Sequence, residues 1–216
     1  IHFQMPGHCP QHLIAGQVAM TVIELFEVIQ VDQCQRQRQS ITQGPRLLTL
    51  EKLGKQTQFV DGLRVTDAET ADVVQMVLAG KVNKGLVAYL TALGGKAIGL
   101  CGIDGNMIQV HTKDEKLGLV GEIDHIDTAV IDSALSAGFI PVISSVGIDS
   151  KGQPHNINAD TAATKIAAAL NAECLVFMSN IDGVMKDPKD KDSLLHKLTV
   201  VETEALKKDG TINGGM

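Results

Sequence analysis

The stretch that most constrains the fold is residues 156–163, an Asn-Ile-Asn-Ala-Asp-Thr-Ala-Ala run that lies between two apolar segments. The upstream segment, 138–147, is rich in β-branched residues and ends in glycine, which predicts a strand buried on both faces. Downstream, an Ala-rich run to Leu170 favours a helix, and a second apolar run at 174–178 predicts another strand. Strand, helix and strand in this order predict a right-handed βαβ unit.

Polar side chains cluster where such a unit binds ligands, at the carboxyl ends of parallel strands. Asn156, Asn158 and Asp160 open the helix, and the polar segment 179–184 follows the second strand. Asn158 or Asp160 could simply cap the helix, but a cap needs one such residue and this helix start offers three. A ligand site and a helix cap are therefore both open interpretations of these residues.

Helix and strand signals alternate along the rest of the chain. Thr66 and Glu69 have the spacing of a capping box, which opens a helix that Gly80 is expected to close. The remaining predicted elements are a helix over about 82–93, a strand at 96–101, an antiparallel pair at 107–111 and 119–123, a helix from Asp127 to Ala137, and a last helix capped by Thr199 and Glu202. This alternation predicts an α/β protein with a mostly parallel sheet covered on both faces.

Composition narrows the class of protein. Apolar residues make up 44% of the 216 residues with no Trp and one Tyr, so the core must be aliphatic. A formal charge of −6 argues against nucleic acid as the main partner. Four cysteines without a CxxC spacing, at positions 9, 34, 101 and 174, predict reduced, buried thiols in the cytoplasm.

Several motifs, in this order, resemble the acetylglutamate kinases of the amino-acid kinase superfamily. They are residues 59–67, 76–84, 138–143, 156–163 and 179–184. The resemblance runs from about residue 50 to 216 and implies a three-layer α/β/α sandwich, the amino-acid kinase fold, in truncated form. It divides the chain into a divergent segment at 1–49, an acceptor-binding part at about 50–155 and the start of a nucleotide-binding part at about 156–216.

The resemblance implies ATP-dependent phosphorylation of the side-chain carboxylate of N-acetyl-L-glutamate, a step of arginine biosynthesis, by a cytoplasmic homo-oligomer. It assigns substrate binding to Arg64 and Asn156, and the orientation of phosphate-binding lysines to Asp160. From chemistry alone, Arg64 would form a surface ion pair with Asp61 or Asp67. No metal-binding motif is predicted, because nucleotide phosphates would hold most of the Mg²⁺ coordination. The implied ATP-binding residues are Ser179, Asn180, Asp182 and Gly183.

The chain departs from the family pattern in its first 50 residues. The family carries glycines in a His-Gly-Gly-Gly-Pro loop at positions where this chain has Thr42 and Gln43, and the lysine of its first Gly-rich loop has no counterpart. The printed sequence ends at Met216, about three residues before the family's second lysine. An alternative expectation is therefore a catalytically impaired fragment or non-catalytic relative that keeps the fold and ligand binding.

Overall fold

The computed structural model describes residues 20–21, 59–60, 63–177, 183–187 and 190–211. The strands are β1 Met20–Thr21, β2 Phe59–Val60, β3 Leu63–Arg64, β4 Ala97–Cys101, β5 Ile108–Thr112, β6 Gly121–Ile126, β7 Ile140–Ser144, β8 Val146–Ile148 and β9 Pro154–Asn156. The α-helices are α1 Ala68–Gln75, α2 Asn83–Ala92, α3 Ala129–Ser136, α4 Ala159–Ala169 and α5 Val200–Lys208. A π-helical segment, Met76–Val82, joins α1 to α2.

The central sheet is parallel, with β7 between β1 and β4. Successive residues of β7 face opposite layers: Ile143 packs with α3 and α4, whereas Val142 packs with the helical segment from α1 to α2. Both residues are completely buried. Covering on both faces explains why this strand is a continuous apolar run, and it confirms the predicted α/β fold with helices on each side of a parallel sheet.

The run at 138–147, predicted as one strand, divides between two sheets at Ser145. Its first part is β7, and its second part, β8, joins a mixed sheet in the order β6-β5-β8-β9. In that sheet β5 and β6 form the predicted antiparallel pair, and β8 pairs with β9. The chain therefore passes from the central sheet to the second sheet at Ser145, and Asn156 ends the second strand after this passage.

The predicted helix boundary at Gly80 is wrong. Helical structure continues through Gly80 from Ala68 to Ala92, with the π-helical segment in the middle. The side chain of Asn83, which is completely buried, follows this segment and donates from Nδ2 to the carbonyl oxygens of Leu100 at 3.0 Å and Val142 at 2.7 Å. These two bonds tie the start of α2 to adjacent strands of the central sheet, which favours continued helix over a break.

The capping box predicted at Thr66 is also wrong. Asp67 is the N-cap of α1, and its side chain accepts from the backbone N–H of Thr70 at 2.7 Å. Thr66 is completely buried and takes part in contacts with distant residues instead. At the other end of the chain the prediction is confirmed, because Thr199 and Glu202 form a reciprocal capping box at the start of α5.

Residues 174–177 do not form the predicted strand. They have no regular structure, and Leu175, Val176 and Phe177 are 39%, 73% and 54% exposed. A strand requires a neighbouring strand to pair its backbone groups, and none of the described strands pairs with this segment. Met178 lies outside the described residues.

The prediction of buried thiols holds for one of the two cysteines that the structure describes. Cys101 is buried, whereas Cys174 is exposed. Burial, the main cause, together with the negative charge of Asp104, raises the pKa of the Cys101 thiol. In the part of the chain that the structure describes, no helix has the length and apolar character needed to span a bilayer.

Candidate functional site

Three segments that are far apart in the chain meet beside the end of β9, and we call this meeting point the junction. It consists of Thr66, the turn at 117–119 and Asn156. The backbone N–H of Thr66 donates to Leu117 O at 2.9 Å, and Leu119 N–H donates to Thr66 O at 2.7 Å. The N–H of Asn156 donates to Leu119 O at 2.9 Å, so the turn joins the other two segments.

The turn can approach Thr66 so closely because its middle residue is glycine. Gly118 has a φ of +67°, and a Cβ at this position would lie 2.4 Å from the carbonyl oxygen of Thr66. Asp114 begins the short 3₁₀-helical segment Glu115–Leu117 that leads into this turn, and its side chain accepts from Lys116 N–H at 2.9 Å. The sequence between β5 and β6 thus provides both the bend and the space that the junction needs.

The two residues expected to bind substrate lie on segments that the junction brings together. Asn156 ends β9 and is 7% exposed, and its Nδ2 donates to the hydroxyl oxygen of Thr66 at 3.5 Å. Arg64 ends β3, two residues before Thr66, and its backbone pairs with Phe59. The Arg64 side chain lies outside what the structure describes. The binding of substrate by Arg64 and its alternative ion pair with Asp61 or Asp67 both stay predictions.

At the start of α4, the other two polar residues of the cluster, Asn158 and Asp160, have different surroundings. Asn158 is the N-cap, and its Oδ1 accepts from both the backbone N–H and the hydroxyl of Thr161, each at 3.0 Å. Asp160 lies in the first turn with an exposed side chain. Capping therefore accounts for Asn158 and leaves the Asp160 carboxylate near the positive end of the helix dipole, where a negative charge is favourable.

The turn that leads into β9 is ordered by Asp149. Its Oδ1 accepts from the backbone N–H of Lys151 at 2.8 Å and of Gln153 at 2.9 Å. Hydrogen bonding by the backbone of Gln153, and then of Lys151, lowers the pKa of the Asp149 carboxyl. This local structure sets where β9 begins and hence where Asn156 is placed.

His155, beside Asn156, is a buried polar residue with two hydrogen-bond partners. Its Nδ1 is 3.0 Å from the carbonyl oxygen of Gln153, and its Nε2 is 3.2 Å from the hydroxyl of Thr112 on β5. A carbonyl can only accept, so Nδ1 carries a proton and, in the neutral ring, Nε2 accepts from Thr112. The His155 ring therefore links β9 to β5.

Of the predicted nucleotide-binding residues, the structure describes Gly183 alone. It is half-buried with a φ of +141° and lies beside Leu194, in a region where Leu195 N–H donates to Val184 O at 2.8 Å. Ser179, Asn180 and Asp182 lie outside the described residues, as do Thr42 and Gln43. Within the described ranges, no group of three or more His, Cys, Asp and Glu side chains could hold a metal ion.

Sequence reasoning missed the role of Thr66 in the junction. The signal for a capping box was local, whereas the partner of Thr66 is 90 residues away in the chain. The spacing between Arg64 and Thr66 could have indicated this role, because alternate residues of an extended segment face the same side.

Comparison with known proteins relates the chain to an enzyme family. The Amino acid kinase family matches over residues 32–216, which begins upstream of the resemblance noted at about residue 50. An acetylglutamate kinase of Clostridium kluyveri is 51% identical over 169 residues, and one of Thermosynechococcus vestitus is 50% identical over 175 residues. These matches cover 77% and 80% of this chain but 60% and 59% of the relatives.

Solved structures agree on the fold. The structure of smu.665 from Streptococcus mutans UA159 matches with a TM-score of 0.72 and 29% identity, over 79% of this chain and 69% of that one. An N-acetylglutamate synthase from Neisseria gonorrhoeae, in complex with coenzyme A and N-acetyl-glutamate, matches with a TM-score of 0.61 and 26% identity. That match covers 75% of this chain and 38% of the synthase.

The chain is an α/β protein whose candidate site, the junction, lies beside the end of β9 in the mixed sheet. The chain belongs to the Amino acid kinase family. It spans about 60% of the length of the curated acetylglutamate kinases that it matches.

Proposed function

We propose that the protein transfers the γ-phosphoryl group of ATP to the side-chain carboxylate of N-acetyl-L-glutamate, forming N-acetylglutamyl phosphate for arginine biosynthesis. The observation that carries this proposal is the junction, which joins the Arg64 segment to Asn156. Over the matched 169 to 175 residues, the chain is 50% to 51% identical to acetylglutamate kinases. A further support is the structural similarity to a synthase solved with N-acetyl-glutamate.

Arg64 and Asn156 provide the chemistry that an acylated amino acid requires. A guanidinium group binds a carboxylate through two parallel hydrogen bonds, and such charge-assisted bonds are about twice as strong as neutral ones. The amide of Asn156 has both a donor and an acceptor, which suits the polar groups of an N-acetyl amino acid. Because Asn156 is 7% exposed, its hydrogen bonds are made largely out of water.

The reaction needs positioning and charge stabilisation more than acid–base chemistry. A carboxylate oxygen of the acceptor attacks the γ-phosphorus, the bond to the bridging oxygen breaks, and ADP leaves with its electron pair. The nucleophile is already an anion, so no general base is required. In this proposal the exposed carboxylate of Asp160 orients cationic groups around the transferred phosphoryl group.

ATP would be held by the segment that contains Ser179, Asn180, Asp182 and Gly183. The backbone at Gly183 has a conformation that side-chain-bearing residues rarely adopt, which suits a loop that approaches a ligand closely. Mg²⁺ bound through the nucleotide phosphates would neutralise the charge that develops on them. We place this activity in the cytoplasm and in a homo-oligomer, as the family resemblance implies.

A second candidate function is ligand binding without turnover. The observation that favours it is the divergence of the first 50 residues, where Thr42 and Gln43 replace glycines of the family's phosphate loop. Side chains there would obstruct the approach of backbone N–H groups to phosphate oxygens. A non-catalytic relative would keep the junction and bind the acceptor.

Trapping the acyl phosphate with hydroxylamine tests the proposal. The purified protein is incubated with ATP, Mg²⁺ and either N-acetyl-L-glutamate or the shorter N-acetyl-L-aspartate, and hydroxamate is measured. Hydroxamate that depends on ATP and forms faster with N-acetyl-L-glutamate supports the kinase. Calorimetric binding of N-acetyl-L-glutamate without hydroxamate supports the non-catalytic relative, and absence of both overturns the proposal.

A further inference from the structure

Thr66, which follows β3, is a completely buried polar residue. Its hydroxyl oxygen accepts a hydrogen bond from Nδ2 of Asn156, and its backbone bonds to both ends of the 117–119 turn. The residue therefore has three connections to the junction, one through its side chain and two through its main chain.

The side-chain connection holds the Asn156 carboxamide against the Thr66 hydroxyl. The two faces of a carboxamide differ only in whether oxygen or nitrogen points in a given direction, so an asparagine can be turned over at little steric cost. When the hydroxyl of Thr66 accepts from Nδ2, the amide nitrogen is held on the Thr66 side and Oδ1 points the other way. A hydroxyl can also donate to an amide oxygen, so what the Thr66 hydroxyl provides is a hydrogen-bond partner that keeps the Asn156 carboxamide in place.

The main-chain connections hold the hydroxyl itself in place. Leu119 N–H and Leu117 O bind the backbone of Thr66, and Leu119 O binds the backbone N–H of Asn156. Both partners of the side-chain hydrogen bond are thus attached to the same turn. The turn therefore supports the backbones of both residues, Thr66 and Asn156, together.

We propose that Thr66 is a positioning residue that holds the carboxamide of Asn156 in place and thereby sets the affinity of the site for N-acetyl-L-glutamate. The proposal rests on the proposed function. Thr66 acts through Asn156, a residue assigned to the acceptor, so we expect its substitution to change acceptor binding more than nucleotide binding.

The test compares Thr66→Val, which removes the hydroxyl at nearly constant shape, with Thr66→Ser, which keeps it. We expect Thr66→Val to raise the dissociation constant for N-acetyl-L-glutamate about fivefold, the effect of one hydrogen bond, and that for ATP less than about twofold. Thr66→Ser should restore most of the affinity for the acceptor. The matched control is Thr70→Val, the same change at a buried threonine in α1.

A measurement on the unmodified protein keeps the proposal testable if Thr66→Val does not fold. In the NMR spectrum, one carboxamide proton of Asn156 should exchange slowly with solvent, and both should shift when N-acetyl-L-glutamate is added. Fast exchange of both protons, or equal loss of acceptor affinity in the Thr66→Val and Thr70→Val variants, would overturn the role of Thr66. If the wild-type protein does not bind N-acetyl-L-glutamate, the role of Thr66 and the proposed function both fail.

Discussion

Asn83 occupies the space that a side chain at residue 99 would need. A Cβ on Gly99 would lie 1.9 Å from Oδ1 of Asn83 and 2.7 Å from Nζ of Lys84, which donates to the Gly99 carbonyl oxygen. Asn83 can bond to both β4 and β7 because Gly99 leaves this space empty. The pair links the helical layer to the central sheet.

The Asn83–Gly99 pair makes Gly99→Ala a destabilising substitution. The added methyl group would displace the Asn83 side chain from its two carbonyl partners, and we expect a loss of about 1 to 3 kcal/mol in the free energy of unfolding. Urea unfolding followed by circular dichroism measures it. The matched control is Gly80→Ala in the π-helical segment, where a Cβ would meet nothing within 4 Å. That variant should be unchanged or up to about 1 kcal/mol more stable.

Substitutions at the start of α4 can distinguish helix capping from a role in catalysis. Asn158 is the cap, so Asn158→Ala should lower the free energy of unfolding by about 1 kcal/mol. Asp160→Asn should leave stability nearly unchanged but lower the rate of phosphoryl transfer about tenfold or more, because it removes the carboxylate that orients cationic groups. Thermal unfolding and the hydroxamate assay distinguish these effects. An unchanged rate in Asp160→Asn would remove Asp160 from the catalytic residues.

The turn before β9 predicts a dependence of stability on pH. The folded-state pKa of Asp149 is lowered below its ordinary value of 3.8, mainly by the backbone N–H of Gln153. The carboxylate therefore contributes stability above that value, and the contribution is lost as pH falls through the folded-state pKa. Asp149→Asn has no charge to lose, so its melting temperature should fall less than that of the wild type between pH 7 and pH 3. Equal falls would show that these hydrogen bonds do not stabilise the fold.

Elements with local signals could be predicted from the sequence. The capping box of Thr199 and Glu202 depends on two residues that are three positions apart, and it is present in the structure. The antiparallel pair of β5 and β6 depends on segments that are adjacent in the chain, and it is present too. The prediction that the helix ends at Gly80 is wrong because a local pattern does not show the hydrogen bonds of Asn83. These bonds to two strands favour continued helix past the glycine.

The candidate site could be predicted only in part for the same reason. The cluster from Asn156 to Asp160 is contiguous, and its composition points to a site. The contact between Asn156 and Thr66 joins residues that are 90 positions apart in the chain, and it depends on the turn at Gly118. No spacing pattern in the sequence relates this turn to Thr66 or to Asn156. The apolar run at 174–178 predicts a strand from its composition, but strand formation depends on a pairing partner, and the described residues 174–177 have no regular structure.

The most direct test of the acceptor site is a pair of calorimetric titrations, with N-acetyl-L-glutamate and with ATP, on the wild type and on Arg64→Ala. The control is Lys116→Ala, which removes a charge from the exposed part of the neighbouring turn. We expect Arg64→Ala to weaken N-acetyl-L-glutamate binding by about 2 to 4 kcal/mol, because a carboxylate loses its charged partner, and to leave ATP binding nearly unchanged. Equal weakening of both ligands, or an effect no larger than that of Lys116→Ala, would contradict the placement of the acceptor at the junction.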